Sequence, residues 1–596
     1  MFSFIIFGAI TALFAMIGPK HLFNRLISGL IGLFLGGLLG YFILPTLAWN
    51  YAEISFLAIV GAAVGIVVSM AEAQEGSPSR ASGYTLLGAV TWLFVMPFFT
   101  SFAGLPGKAE KYRGLLGDVS VSEFSDDMSP VDIGSVRTVS QDLAKLLGEK
   151  RLGEIAGLGS RVNLGIMNIQ AIDGCFTVQN PEGVAEELCF DNELFWAGPL
   201  IHSGIFKQWG NGSTPGYVLV SATDPSDVKM VTAVVRKNTS FDRIMPDMEI
   251  RTEVASMGLR YLNRGGYFRF DLRRHLRHNG YLTVGLADPV FEVRDDGTPF
   301  WVVTKFEKRV GFSGRDATGV IVVNTQSGDI KDYSIAEAPS WIDRIQPHTF
   351  VSQQLDWWGE LVHGWWNFAN KDKITSTRGI SLVFGEDGHA YWYTGLQSVG
   401  SDAGTMGFAL VNSRTKEARW YRVTGATETA AVLAAQNARG VKEAGYKGSN
   451  AILYNVANIP TYFTVLHGNN GLSQMYAFVS VEDYSIVGVG QTPRQALRDY
   501  QVKLSSSHSV NADDLVDRAT MNAVVAAVAV ESEGGKQTYY FLLQGHEGKE
   551  FYASSNVSIE LKWTRTGDNI ELIVNSGEGA SVNIIRFNNL SLDLEG

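Results

Sequence analysis

LISGLIGLFLGGLLGYFILPTL, residues 26–47, decides what kind of protein this is. The run carries no charge and is long enough to cross a hydrocarbon core of about 30 Å as a helix. Three more apolar stretches lie beside it: Phe2 to Ile17, Ile54 to Met70 and Tyr84 to Phe102. The last is long enough on its own; the other two need their flanking residues. A cleaved signal peptide would show a basic segment ahead of Phe2, and would not be followed at once by more apolar sequence. Residues 1–105 are expected to form a transmembrane bundle of about four helices.

Glycine recurs through the quoted run at Gly29, Gly32, Gly36, Gly37 and Gly40. In lipid, helices associate by close packing, and glycine lets backbones approach. The stripe serves either an internal bundle or a contact between subunits in a homo-oligomer. Lys20 and Arg25 separate the first two stretches and Arg80 the last two, which by the positive-inside rule puts those loops in the cytoplasm. Lys108, Lys111 and Arg113, just after the fourth stretch, argue the opposite way. The uncharged N-terminus tips the balance toward an extracytoplasmic soluble region.

A chain of 596 residues exceeds what one core can organise, so several folded units are expected. The net charge of −11 speaks against a general nucleic-acid binder. Cys175 and Cys189 are the only cysteines, with no CxxC pair or Cys/His cluster, so no metal site is expected. Both lie in short strand-like runs flanking the turn signal Asn180-Pro181-Glu182-Gly183, and a hairpin brings the sulfurs together. They are either a disulfide, implying an oxidising compartment, or two reduced, half-buried thiols.

Residues 106–155 read as a linker with a helix at Gln141 to Lys150, and 156–290 as a mixed α+β domain. A weak repeat follows over 291–503. Pro299-Phe300-Trp301-Val302-Val303, Ala390-Tyr391-Trp392-Tyr393 and Pro460-Thr461-Tyr462-Phe463 each precede a second apolar run, a turn and an aromatic or aliphatic strand. Each unit then enters a helix, expected at Ser340, Thr427 and Thr492; the last offers a capping threonine, proline at the first helical position and glutamine three residues on. Three strands and one helix cover one face of a small antiparallel sheet, so three related modules are expected. Residues 515–596 alternate through five or six short strands, among them Ile559 to Thr564, which suits a small OB-like or SH3-like β-barrel.

The strand–turn–strand wording of each module resembles PepSY-type domains of bacterial envelope proteins, a likeness of some 40 residues per copy that implies binding or restraining of peptidases. A broader likeness rests on Lys150 to Glu154, Gly157 to Ser160, Gly198 to Gly204, Thr214 to Tyr217, Pro339 to Pro347, Gly407 to Asn412 and Pro460 to Phe463. Together these resemble a family of large membrane-anchored proteins of bacteria, mobile elements and phages, some loosely labelled CvpA-like. The resemblance implies a bacterial or phage source and no particular chemistry; the expected location is a bacterial inner (cytoplasmic) membrane, crossed several times. The Cys175 to Cys189 hairpin looks like an insertion against that pattern.

Two clusters invite a binding role. Arg260, Arg264, Arg269, Arg273, Arg274 and Arg277, with His275 and His278, form the densest basic run, fit for lipid headgroups, a nucleic-acid backbone or carboxylates, or else for ordinary ion pairs on a solvated helix. Trp357, Trp358, Trp365 and Trp366 recur seven residues apart, as a membrane-interface anchor, a subunit contact or core. Catalytic and cofactor motifs are not found. His202-Ser203 lacks a GxSxG elbow, no HExxH occurs, and Gly157-Leu158-Gly159-Ser160 is neither a P-loop nor a full dinucleotide fingerprint. Asp295-Asp296-Gly297 and Glu386-Asp387-Gly388 read as hairpin turns more simply than as calcium fragments. No cofactor is expected. The sequence points to a membrane-anchored, non-catalytic assembly or protein-binding protein, in contact with lipid and oligomeric. An envelope hydrolase or peptidase regulator, and a nucleic-acid handling membrane protein, are the alternatives.

Overall fold

The computed structural model describes the chain except residues 1, 73–79, 123–130, 132, 134–135, 156, 180–184, 238–251, 378, 386–387, 401–403, 457–458, 508–517, 534–535, 547, 555–556, 576–580 and 593–596. It divides into two units: Met1–Asn455 with Ile459–Tyr500, and Gln501–Gly596 with Val456–Asn458.

Helices α1 (Phe2–Ala15), α2 (Leu22–Ile43), α3 (Ala52–Glu72) and α4 (Arg80–Ser101) occupy the apolar stretches. At the helical rise, α2, α3 and α4 reach roughly 31–33 Å, enough for a hydrocarbon core, while α1 reaches roughly 21 Å. The expected four spans are corrected to three helices, among the described residues, long and apolar enough to cross a membrane. Pro19 supplies the reason: it cannot continue a helix, and it pushes Gly18 before it out of the helical region.

The glycine stripe of α2 faces inward. Gly29, Gly32, Gly36, Gly37 and Gly40 are all buried, and a side-chain carbon at Gly36 or Gly40 would collide with Thr11 or Phe7 of α1. Helix α4 is peripheral, with only Ser82 buried among its described residues.

The two ends of the bundle differ. The backbone N–H groups of Lys20 and His21 donate to the Glu72 carboxylate at 2.8 and 2.7 Å, and Gly18 abuts Ser82, so the charged loops gather at one end. At the other end the Leu47 N–H donates to the Leu282 carbonyl at 3.0 Å, Asn50 Nδ2 to the Gly311 carbonyl at 3.2 Å, and the Phe312 N–H to Ser101 Oγ at 2.7 Å. The remainder of the first unit is docked there, opposite Lys20.

Helix α5 (Lys108–Arg113) hooks back on α4: Lys108 Nζ donates to the Thr100 carbonyl and the Tyr112 hydroxyl to the Ser101 carbonyl, both at 2.6 Å. Lys108 meets the negative end of the α4 dipole, which accounts for a basic residue there without reference to membrane sidedness. Helix α6 (Gln141–Glu154) is capped by Ser140, whose Oγ accepts the Leu143 N–H at 3.3 Å.

A seven-stranded sheet grows from the long hairpin of Asn168–Gln179 and Ala185–His202, with Tyr217–Ser221 and Val228–Val231 on one side, Ala233–Lys237 and Thr252–Ser256 on the other, and Val162–Leu164 paired to the end of Ala185–His202. Helices α7 (Ile205–Asn211) and α8 (Leu272–His278) flank it, α8 capped by Asp271, which accepts the Arg274 N–H at 2.8 Å. A four-stranded antiparallel sheet follows, Gly285–Val293 through Ile330–Ser334, then α9 (His348–Glu360). A helix at Ser340 is not formed. Residues there instead tuck Ile342 and Ile345 under Val302 and Val322, and α9 starts only after Pro347.

The third sheet centres on Ala390–Ser398 and Gly407–Asn412, and the linker strand Val119–Val121 joins it in parallel beside Ala418–Tyr421. Helix α10 (Glu428–Asn437) follows, with Thr427 Oγ1 accepting the Ala430 N–H at 3.1 Å. After the short α11 (Val441–Ala444), a fourth sheet centres on Ile459–His467 and Ser473–Ser480. It leads into α12 (Pro493–Ser507), where Thr492 accepts the Gln495 N–H at 3.2 Å. The main cores place Trp196, Leu200 and Trp392 under α6; Phe195, Phe291 and Trp301 under α8; and Tyr393, Phe408 and Tyr462 under α10.

In the second unit, Arg518–Glu533 pairs with both Lys536–Leu543 and Asn569–Asn575, and Glu550–Ser554 pairs in parallel with Ser581–Asn589 around a core of Phe541, Phe551 and Leu572. One strand of the expected OB-like or SH3-like barrel is corrected, and no OB or SH3 type is assigned. Ile559–Lys562, read as one of its strands, is a 3-10 turn capped by Ser558, and one ladder is parallel. The five strands pair around a closed ring, each hydrogen-bonded to two others, within a mixed α+β chain.

Candidate functional site

A cleft of about 830 Å³ lies in the first unit, where three sheets meet the start of α6. Trp196, Trp392 and Phe463 form an aromatic floor, one ring from each sheet. The rings are fixed from behind: Trp196 Nε1 donates to the Val139 carbonyl at 2.9 Å, and Trp392 Nε1 to the Gln346 carbonyl at 2.8 Å. Arg137, Arg344 and Lys447 supply positive charge on the walls, Asp142 and Asp288 negative charge. Arg137 lies over Trp196 at 5.5 Å and donates to the Leu382 carbonyl at 2.9 Å. Nε and Nη2 of Arg344 are shielded from solvent and make no hydrogen bond. His467 is half-buried, and desolvation holds its imidazole below the usual value, so it is neutral at pH 7.

Behind this wall lies a buried acidic pair. Burial pushes the Glu292 carboxyl up to about 8, and that of Asp343 to about 6. Asp343 accepts the Ala171 N–H at 2.9 Å, while neither Glu292 oxygen makes a well-aligned hydrogen bond. The charges of Arg344 and Arg414 act on both carboxyls.

The basic run divides. Arg260, Arg264, Arg269 and Arg273 are exposed, while Arg274 and Arg277 are buried against the membrane helices. Arg277 donates to the Val284 carbonyl and to Thr46 Oγ1, each at 2.7 Å, and Arg274 stacks on Tyr41 at 3.8 Å. Helical geometry causes the split: 274 and 277 share the face of α8 turned to the bundle.

The tryptophans divide too, because α9 ends at Glu360 and His363 and Gly364 take left-handed conformations. Trp357 packs on Tyr112 and Trp358 on Trp420, at 4.5 and 5.8 Å. Trp365 packs on Phe102 at 4.8 Å, and Trp366, 64% exposed, donates to the Gly104 carbonyl at 3.1 Å, so this second pair rides at the end of α4.

Cys175 and Cys189 are directly opposite in the hairpin register and joined, with sulfurs 2.14 Å apart. The Asn180 to Gly183 turn and Glu386-Asp387 lie outside the described residues. Asp296 accepts the Thr298 N–H at 3.0 Å and closes a hairpin turn. No cluster of metal ligands occurs among the described residues. His202 and Ser203 are not brought together: the imidazole is buried with both nitrogens unpartnered, and the exposed Ser203 hydroxyl donates to the Arg161 carbonyl at 3.1 Å.

The sequence held no sign of the cleft, whose walls come from segments as distant as Arg137 and Gly471. No family model, curated protein or solved structure matches the chain.

Proposed function

We propose that the chain is a membrane-anchored, non-catalytic binding and assembly protein that receives a protein partner, or a second copy of itself, in the three-sheet cleft. The observation that carries this reading is the composition of the cleft. A floor of tryptophan and phenylalanine ringed by arginine, lysine and aspartate is the pattern of a protein contact centre. The resemblance of the modules to PepSY-type domains points the same way. The reading includes an extracytoplasmic soluble region on a bacterial inner membrane. Its support is the Cys175–Cys189 bond and the gathering of Lys20, Arg25 and Arg80 at the far end of the bundle.

Light scattering on the protein purified in mild detergent tests it. The expected result is a particle heavier than one chain and its micelle, reduced when Arg344→Glu and Lys447→Glu reverse the charge of the wall. A strictly monomeric particle with no co-purifying chain contradicts it.

A further inference from the structure

We propose that α7 and the turn entering α8 form a second membrane contact: an aromatic and cationic foot lying in the headgroup layer of an anionic bilayer. The proposal rests on reading α2, α3 and α4 as membrane-spanning, and it begins from where α8 is held. Arg274 stacks on Tyr41, inside the last turn of α2, whereas Arg277 reaches Thr46, beyond the end of that helix. Both arginines thus hold α8 against the end of α2 and the residues that follow it. The turn Phe268–Phe270 immediately precedes α8.

Phe268 is 55% exposed at that position, held at φ 54°. Helix α7 is bracketed to the same turn by one amide: Gln208 Nε2 donates to the Tyr267 carbonyl at 3.2 Å, and Gln208 Oε1 accepts the Tyr267 N–H at 2.7 Å. Phe206 and Trp209, three residues apart, share the face of α7 turned away from Gln208 and are 80% and 81% exposed. Aromatic surface of this extent is costly in water and favoured at a membrane interface. Lys207, Arg269 and Arg273 are exposed on the same two elements, which makes the surface complementary to anionic headgroups. The occupant is thus a lipid surface continuous with the one that surrounds α2.

Nanodiscs give the test. With both native cysteines bonded, Trp209→Cys or Phe206→Cys introduces a single free thiol for an environment-sensitive fluorophore. Ser226→Cys provides an exposed control and Leu30→Cys a control on α2. In discs containing phosphatidylglycerol, the labels at 209 and 206 should shift to the blue and be quenched by shallow spin-labelled lipid, about twofold or more beyond the label at 226. The excess should shrink in pure phosphatidylcholine and after Arg269→Gln with Arg273→Gln. Labels at 209 and 206 that behave like the one at 226 overturn the foot, and quenching indifferent to lipid charge overturns its cationic part. A label at 30 that escapes quenching instead sinks the membrane reading itself, a separable outcome.

Discussion

Arg277 donates to the hydroxyl of Thr46 at 2.7 Å, across 231 residues of chain, and so fastens the soluble region to the linker between α2 and α3. The guanidinium is 1% exposed and takes the Val284 carbonyl as well. Burial, with Arg273 nearby, lowers it to about 10, so it stays charged at neutral pH. A buried cation held by carbonyls and a hydroxyl on two elements fixes their relative position, since neither can leave without stranding the other's polar groups.

Arg277→Ala should therefore cost about 2–4 kcal/mol and loosen the docking. Hydrogen exchange in detergent is expected to speed up in α8 and in residues 44–51 together. Thr46→Val should show a weaker form of the same pattern. Faster exchange confined to α8 would contradict the fastening role.

Glu292→Gln should flatten the dependence of stability on pH. In the folded state burial lifts this carboxyl to about 8, far above its value in an unfolded chain, so the folded form binds the extra proton. Stability from this group is complete below the unfolded value and falls as pH rises toward 8, by about 1.4 kcal/mol per unit inside that window. The glutamine variant should gain melting temperature over the native protein at pH 8 and little at pH 5. Equal shifts at both would refute the assignment.

Gly36→Leu or Gly40→Leu should prevent α1 from closing on α2 and leave the protein aggregated in detergent, because Thr11 and Phe7 fill that space. Gly88 on α4 has no atom within 4 Å of where a side chain would begin, so Gly88→Leu should be tolerated in a monomer. Loss of a larger particle in that variant alone, read by light scattering, would place a subunit contact on α4.

Cys175 and Cys189 should resist a maleimide reagent on intact cells until a reductant is added, then react, as both are exposed. Removing the bond by Cys175→Ser should cost about 3 kcal/mol for a loop of this length. Immediate labelling without reductant would contradict both the bond and an oxidising compartment.

The anchor was legible because lipid imposes composition directly: apolar length and the glycine stripe of α2 need no tertiary context. The helix starts at Thr427 and Thr492 were legible for the same local reason, since each cap uses its own chain neighbours. What failed depended on distance or on where a helix stops. The four tryptophans were expected on one face, but left-handed His363 and Gly364 turn the second pair toward α4. The arginines looked like one patch, until Tyr41 and Thr46, more than 200 residues earlier, claimed two of them. The cleft gathers Trp196, Trp392 and Phe463 from three sheets, and no local pattern announces such a meeting.

The most direct measurement is flotation of isolated membranes on a density gradient after an alkaline carbonate wash. The chain should rise with the lipid, because three apolar helices hold it there independently of any surface charge. Recovery of the washed protein at the bottom of the gradient, free of vesicles, would contradict the account.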